Sequence, residues 1–531
     1  MANAILDFFL RRRIPEDRAR ALAYEHERAK AMNTGQPLID DLNQTFTALA
    51  GEDPVPFFTV DGRVISVDRA ILRGHGLFLG EPGAGKSRCA AMQIMTLLRR
   101  AIQQLKAMPE RDDEQLPIEL VVIDVKSETY RLLAEAVAAL YRTASPRAKR
   151  AIRRSFHSIR TTRTEITPEP LLVPRDDVSP DYQATMLADV IVRSSAQEWP
   201  ESVKFVFTQI LRILLARGKD LDLAEIRRLL RSRAHRAEAA AHVDSVALRD
   251  FLLNFDSAIR PQTADALERR LQIEWAFEQV LCAISFPHAE AIRRGVPLHA
   301  PITFADYGSA DLPPSLGIAR ANVQIVDRIL AAGRREPSTD LILFIEEALE
   351  LLKRVPSLCD HVLSALRLLR YRRVSLLFAQ QWLEALPRTV VKEFLQNIRW
   401  ATVFRSQPDI GDFLFPHVPL RPDDVRLSDA KRRQLFDRTL ASLPRQDAFF
   451  LAKGFPTLRV RALDFVDPSA ASGVPSDELF ALFHEEITPR SRVSLAEARR
   501  LIGTATVSAA PEHEKSPRSI FGFDDEEEID G

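Results

Sequence analysis

The chain has 531 residues, which at about 100–200 residues per domain allows roughly two to four domains. Hydrophobic residues make up 46% and charged residues 27%, enough for ordinary packed cores. Lys+Arg and Asp+Glu both number 73, so overall charge gives no sign of a nucleic-acid binder and any basic surface must be local.

The three cysteines, Cys89, Cys282 and Cys359, lie far apart and form no CxxC or metal-ligand spacing. That points to a reduced, cytoplasmic setting. No run of about 18 apolar residues occurs, so no membrane span is expected. The N-terminal "MANAILDFFL" runs into charges too dense for a signal peptide, and residues 1–54 read as a helical, polar region. "VDGRVISVDRAIL" alternates β-branched residues around Asp61-Gly62, the pattern of a short strand or hairpin. "GLFL", Gly76–Leu79, reads as a strand, and "KSRCAAMQIMTLLRRAIQQL" repeats apolar residues at helical spacing. "ERDDEQLP" is a loop. "IELVVIDV" is a continuous apolar run behind a proline, as a buried parallel strand requires.

From about 130 to 300 the chain reads as mostly helical, through "ADVIVRS", "ESVKFVFTQILRILLARG" and "LERRLQIEWAFEQVLCAI". "STDLILFIEEALELL" is a buried strand turning into a helix. "RRVSLLFAQQ" and "WATVFRS" are further strands, and "DAFFLAKGFPTLRVRAL" looks like a hairpin. Beyond about 470 the apolar pattern thins, and the chain ends in an acidic tail, "FGFDDEEEIDG", expected to be disordered. Strands alternating with helices predict an α/β fold with a mostly parallel sheet, into which a large all-α domain is inserted.

Gly80-Glu81-Pro82-Gly83-Ala84-Gly85-Lys86-Ser87 matches G-x-x-x-x-G-K-[ST] completely, between a strand and a helix that continues through Arg88. Glycines there allow successive N–H groups to turn inward around phosphates. The helix beginning near Lys86 adds the positive end of its dipole. Lys86 is expected on the β- and γ-phosphates and Ser87 on Mg²⁺. Such a loop needs carboxylates at the end of a neighbouring strand, and "LILFIEEAL" supplies Glu346 for the metal and Glu347 for the attacking water. Asp124, ending "VVID", either touches the site or caps the next helix. Gln380, at the tip of "VSLLFAQ", is a candidate sensor of the γ-phosphate. Arg370, Arg372, Arg373 and Arg405 are candidate arginine fingers, or members of a solvated basic loop.

In this order the motifs resemble the HerA/FtsK superfamily of P-loop motor ATPases, with the type IV secretion coupling proteins and HerA-like translocases among its members. The resemblance covers roughly residues 55–465. "VVIDVKSE" is similar to the Asp-x-Lys-Gly-Glu stretch of coupling proteins, with Asp124 and Lys126 matching and Ser127 where glycine is usual. "LFIEEALELL" is nearer the Glu-Glu-Ala of HerA. "VSLLFAQQWLEALP" gives Gln380 its sensor role, and "LQNIRWATVFRSQPDIGDFL" carries Asn397 and Arg405. The resemblance implies a RecA-like P-loop NTPase core, formed by residues 55–130 and 301–470. The inserted helical domain is 131–300, and 471–531 form a C-terminal extension. It further implies ATP and Mg²⁺ as cofactors and a ring, usually a hexamer, that passes DNA. It puts an arginine from one subunit in its neighbour's site. Neither the membrane helices of coupling proteins nor the β-barrel of HerA proteins has a counterpart in the first 55 residues.

"YRTASPRAKRAIRRSFHSIRTTRTE" concentrates Arg and Lys, with Phe156 and His157 available to stack on bases. It reads as a DNA-tracking surface or as a helix pairing with acids elsewhere. "IRRLLRSRAHRAE" is a second such stretch. No sequence-reading DNA motif is present, so DNA contact is expected to be sequence-independent. The expectation is an ATP-driven DNA translocase working with a relaxase, nuclease or secretion system. The alternatives are an ATPase that moves protein, and an ATP-dependent switch that recruits a partner through its tail.

Overall fold

The computed structural model describes residues 45–507 except 170–178, 195–197, 220–222, 275–281, 299, 309–313, 333–339, 349–350, 352–355, 369–371, 382, 384–386, 407–427, 454 and 456–457. The strands are β1 (Pro54–Val60), β2 (Arg63–Asp68), β3 (Gly76–Leu79), β4 (Glu119–Asp124), β5 (Phe156–Ile159) and β6 (Glu165–Ile166). They continue with β7 (Ile302–Asp306), β8 (Leu341–Glu346), β9 (Val374–Gln380), β10 (Trp400–Phe404), β11 (Asp447–Ala452), β12 (Leu458–Ala462) and β13 (Val493–Ser494). Eleven of them form one sheet in the order β2-β1-β12-β11-β10-β3-β9-β8-β4-β7-β5. From β10 to β5 every pairing is parallel, and the β11, β12, β1 and β2 arm is antiparallel.

Burial on both faces explains the continuous apolar runs. In β3, Leu77 and Leu79 join one core and Phe78 the other; in β4, Val121 and Ile123 part in the same way from Leu120 and Val122. The first face packs against helices from the inserted region, including Glu201–Ala216, whose Val203, Phe207, Ile210 and Leu214 line one side. The second packs against α1 (Lys86–Ala107) and α2 (Glu128–Thr143). Asp61 and Gly62 take positive φ between β1 and β2, as the Asp-Gly signal predicts for a hairpin.

Every described element between β6 and β7 is helical, as the α/β fold with an all-α insertion requires. Two strands of the main sheet were not foreseen, nor was the small β6–β13 pair. β5 lies inside the stretch read as helical and forms an edge of the main sheet, and β7 is inserted between it and β4. β5 is only four residues long and follows a basic helix, so its apolar run is too short to signal a strand. The segment after 467 is also more ordered than its composition implied. Helices Pro468–Ser472 and Ser476–Leu482 and a π-helical turn at Phe483–Ile487 bury Leu479, Phe483 and Ile487 against the α2 side of the sheet. β13 then pairs with β6. Residues 1–44 and the acidic tail lie outside the described residues.

His484 anchors this extension. Its Nε2 lies 3.2 Å from the Tyr130 hydroxyl, and its carbonyl accepts a hydrogen bond from Arg492. Burial, then the charges of Arg160 and Arg492, push the imidazole pKa from an ordinary 6.5 down to about 3. The folded chain therefore binds this proton less tightly than the unfolded chain. The resulting stability is complete above the unfolded pKa and is lost as pH falls toward 3. We predict a loss of about 1.4 kcal/mol per pH unit below 6.5 from this one group. Denaturant unfolding from pH 7 to pH 5 measures it, with His484→Gln expected to flatten the slope; coincident slopes would refute a buried neutral imidazole.

Candidate functional site

The carboxyl ends of β3, β4, β8, β9 and β10 meet at one place, where open parallel sheets bind their ligands. The Gly80–Ser87 loop leaves β3 there. Gly80 N–H donates to the Gln380 carbonyl and Glu81 N–H to the Arg405 carbonyl, so the loop is pinned to the tips of β9 and β10. Gly83 and Gly85 have φ of 76° and 116°, a region where side chains are strained. Gly85 caps α1 without any side-chain hydrogen bond, which leaves the first amides of that helix directed at the loop. Gln446, itself at φ 70°, donates its N–H to the Ala84 carbonyl and braces the loop from the β11 side.

The acidic residues come from the next strands. Glu346 ends β8 and is buried; its Oε1 accepts a hydrogen bond from Ser87 Oγ at 3.1 Å. Its Oε2 is buried with no hydrogen-bond partner among the described residues. A hydroxyl and an unsatisfied carboxylate oxygen side by side are hard oxygen donors, so the pair fits Mg²⁺. Glu347 follows with φ 52°. In a continued strand it would face away from Glu346; the left-handed step turns both carboxylates onto the loop. Its Oε1 accepts from Lys126 Nζ at 2.7 Å and lies 4.0 Å from Lys86 Nζ. Such a backbone costs on the order of 1–3 kcal/mol, which these two cations help to offset.

Asp124 ends β4 at the start of the next helix. Its carboxylate accepts from the N–H groups of Lys126, Ser127 and Tyr130, capping α2. It is also beside Glu346. Burial first, then the Glu346 charge, raises its pKa well above the usual carboxylate range. Ser127, in the position where glycine is usual, has φ 67°. That left-handed backbone favours glycine, and here the Ser127 hydroxyl finds a partner in Asp306.

The other predicted residues divide. Gln380 is fully buried at the tip of β9, beside the loop. Arg405 lies next to the loop of its own chain, with Nε 3.4 Å from Glu81 Oε2, and its side chain is 42% exposed. Pro82 and Arg88 belong to the loop and the first turn of α1. Arg373 is elsewhere. With Arg69 and Arg73 it surrounds buried Asp340 at the amino ends of the strands, away from the loop of this chain. Arg372 precedes β9 at that same end, and Arg370 lies outside the described residues. Asn397 donates to the Glu393 carbonyl and closes its own helix.

The basic stretches pair many of their cations internally yet keep several exposed, Arg142, Arg150, Arg153 and Arg154 in the first and Arg227, Arg231 and Arg233 in the second. Phe156 and His157 are 2% exposed in β5, so they are not available to stack on bases. Arg147 pairs with Glu114, Arg150 with Glu110 and Arg160 with Asp306. In the second stretch Arg227 and Arg231 pair with Glu268, Arg228 with Glu225 and Arg236 with Asp256. Asp306 was missed in the sequence. "ITFAD" ends an apolar run on an acid, as "VVID" does, and that was the signal.

No family model and no curated protein matches the sequence. Among solved structures, VirB4 of Thermoanaerobacter pseudethanolicus is similar at 16% identity with a TM-score of 0.50, covering 78% of this chain and 97% of that one. The plasmid coupling protein TrwB, in complex with the non-hydrolysable GTP analogue GDPNP, is similar at 15% identity with a TM-score of 0.52, over 79% of this chain and 92% of that one. TrwB in complex with ADP and Mg²⁺ gives 16%, 0.50, 80% and 93%. The shared architecture is the expected RecA-like P-loop fold.

The pairing of Lys126 with Glu347 is testable by itself. In a double-mutant cycle of Lys126→Met with Glu347→Gln, unfolding free energies should show a coupling of about 1–3 kcal/mol. A coupling below about 0.5 kcal/mol would mean that the contact does not hold the two strands' ends together.

Proposed function

We propose that this chain is an Mg²⁺-dependent ATPase that moves DNA, working as a ring, with six subunits as the expected number. The observation that carries the reading is the contact of Ser87 with buried Glu346, beside Lys86 and Glu347. A glycine-rich turn of purely structural use has no need of two buried carboxylates facing it. In this reading the amides of Gly83 to Ser87 hold the phosphates and Lys86 neutralises them. Ser87 and Glu346 hold Mg²⁺, which supplies charge stabilisation to the transferring phosphoryl group. Glu347 orients the attacking water and accepts its proton. Gln380, tied through its backbone to Gly80, relays the state of the γ-phosphate. Arg405 steadies the loop through Glu81 and is exposed enough to face a neighbouring subunit.

The fold likeness to VirB4 and to TrwB supports a motor of secretion or conjugation type, with a relaxase, nuclease or secretion machine as partner. No described helix is long and apolar enough to cross a membrane, which accords with work in the cytoplasm. A second reading, an ATPase that moves polypeptide, is favoured by the internal pairing of the two basic stretches, which leaves less cationic surface for a phosphate backbone.

Steady-state ATP hydrolysis with and without DNA tests both. We expect turnover that DNA raises several-fold, that Lys86→Ala abolishes, and that Glu347→Gln lowers by about a hundredfold or more. Turnover indifferent to DNA would sink the translocase and leave the polypeptide motor. No turnover above Lys86→Ala in either condition would sink hydrolysis itself.

A further inference from the structure

The loop that carries Lys126 is also held from the side away from Glu346. β7 pairs with β4 so that Asp306 stands opposite Asp124. Asp306 is buried and accepts hydrogen bonds from Ser127 Oγ at 2.5 Å and from Gly308 N–H at 3.1 Å. The turn after β7 touches the same loop: a Cβ on Gly308 would lie 2.6–2.7 Å from the backbone of Lys126, so the approach requires glycine. On its outer side Asp306 is paired with Arg160 at 3.3 Å, and the Arg160 guanidinium lies over the Phe480 ring at 5.0 Å. Arg131, on α2, stacks on that ring as well. A line of contacts thus runs from the C-terminal extension through Arg160, Asp306 and Ser127 to Lys126, the nearest cation to Glu347.

We propose that Asp306 is a positioning residue for ATP turnover. Through Ser127 and the Gly308 turn it sets Lys126 against Glu347, and through Arg160 it makes the C-terminal extension part of the support of the site. The inference rests on the hydrolytic reading above, and its test separates the two.

The discriminating variant is Ser127→Gly in the full chain. Glycine relaxes the left-handed backbone, so a merely structural serine predicts equal or higher stability and unchanged turnover. A positioning serine predicts a kcat lowered about ten- to a hundredfold, with the thermal midpoint not reduced and ATP affinity within about threefold of the parent. Ser127→Ala should lose the same activity. Asp306→Asn keeps an oxygen for the Ser127 hydroxyl and should retain most of it. Parental turnover in Ser127→Gly and Ser127→Ala overturns the proposal. If the parent itself shows no turnover above Lys86→Ala, hydrolysis fails as a reading, and amide exchange decides this one. Exchange at Lys126 and Ser127 about tenfold faster in Ser127→Ala supports the anchoring; unchanged exchange overturns it.

Discussion

The burial of negative charge at the ends of adjacent parallel strands governs this structure. Asp306, Asp124, Glu346 and Glu347 stand at the tips of β7, β4 and β8, all nearly excluded from solvent. An uncompensated carboxylate in such a place costs several kcal/mol. Each is therefore answered in its own way: Asp124 by three backbone amides, Glu346 by a serine hydroxyl, Glu347 by two lysines, Asp306 by a serine and an arginine. Two of these compensating groups, Ser87 and Lys86, belong to the glycine-rich loop itself. One oxygen of Glu346 lacks a hydrogen-bond partner among the described residues, and burial together with the neighbouring Glu346 charge raises the Asp124 pKa. Arrangements of this kind are ready for a cation.

The backbone shows where this order is held against its local preference. Five non-glycine residues have positive φ among those described, and three of them, Ser127, Glu347 and Gln446, touch the phosphate loop or its carboxylates. Ser127 begins α2 in a conformation that side chains disfavour, and its hydroxyl and amide are both engaged by aspartates. Glu347 departs from strand geometry at the residue where a second carboxylate is wanted. Strain concentrated in this way, and compensated by specific partners, is what a preorganised site requires.

Much of this was legible in the residue order, and the reason is physical. The phosphate loop is a local object, built from one run of chain whose glycines have a conformational cause. The strands that flank it are buried on both faces, so they stand out as unbroken apolar runs in "VVIDV", "LILFIEE" and "VSLLFAQ". Partnership across the sheet was not legible. β5 and β7 are short, and the role of Asp306 depends on standing opposite Asp124, which is a fact of register. The packing of the C-terminal extension was not legible because Leu479, Phe483 and Ile487 form a stripe only when set on a helix with a π-helical turn at its end. Arginine clusters were the least legible feature, since sequence shows a charge and hides its partner.

That last point bears on how such a chain would hold a polyanion. With 73 basic and 73 acidic residues, an arginine paired with an acid brings less net charge to the surface, even where, as at Arg150 and Arg227, it stays exposed. Arg147, Arg150, Arg160, Arg227, Arg231 and Arg236 are all committed within the described residues. Affinity for a nucleic-acid backbone grows with the number of phosphates neutralised at once, and the helix Pro146–Ser155 keeps Arg150, Arg153 and Arg154 exposed. Neutrality of the whole chain and a local row of exposed arginines are thus compatible, because acids elsewhere offset the row without covering it.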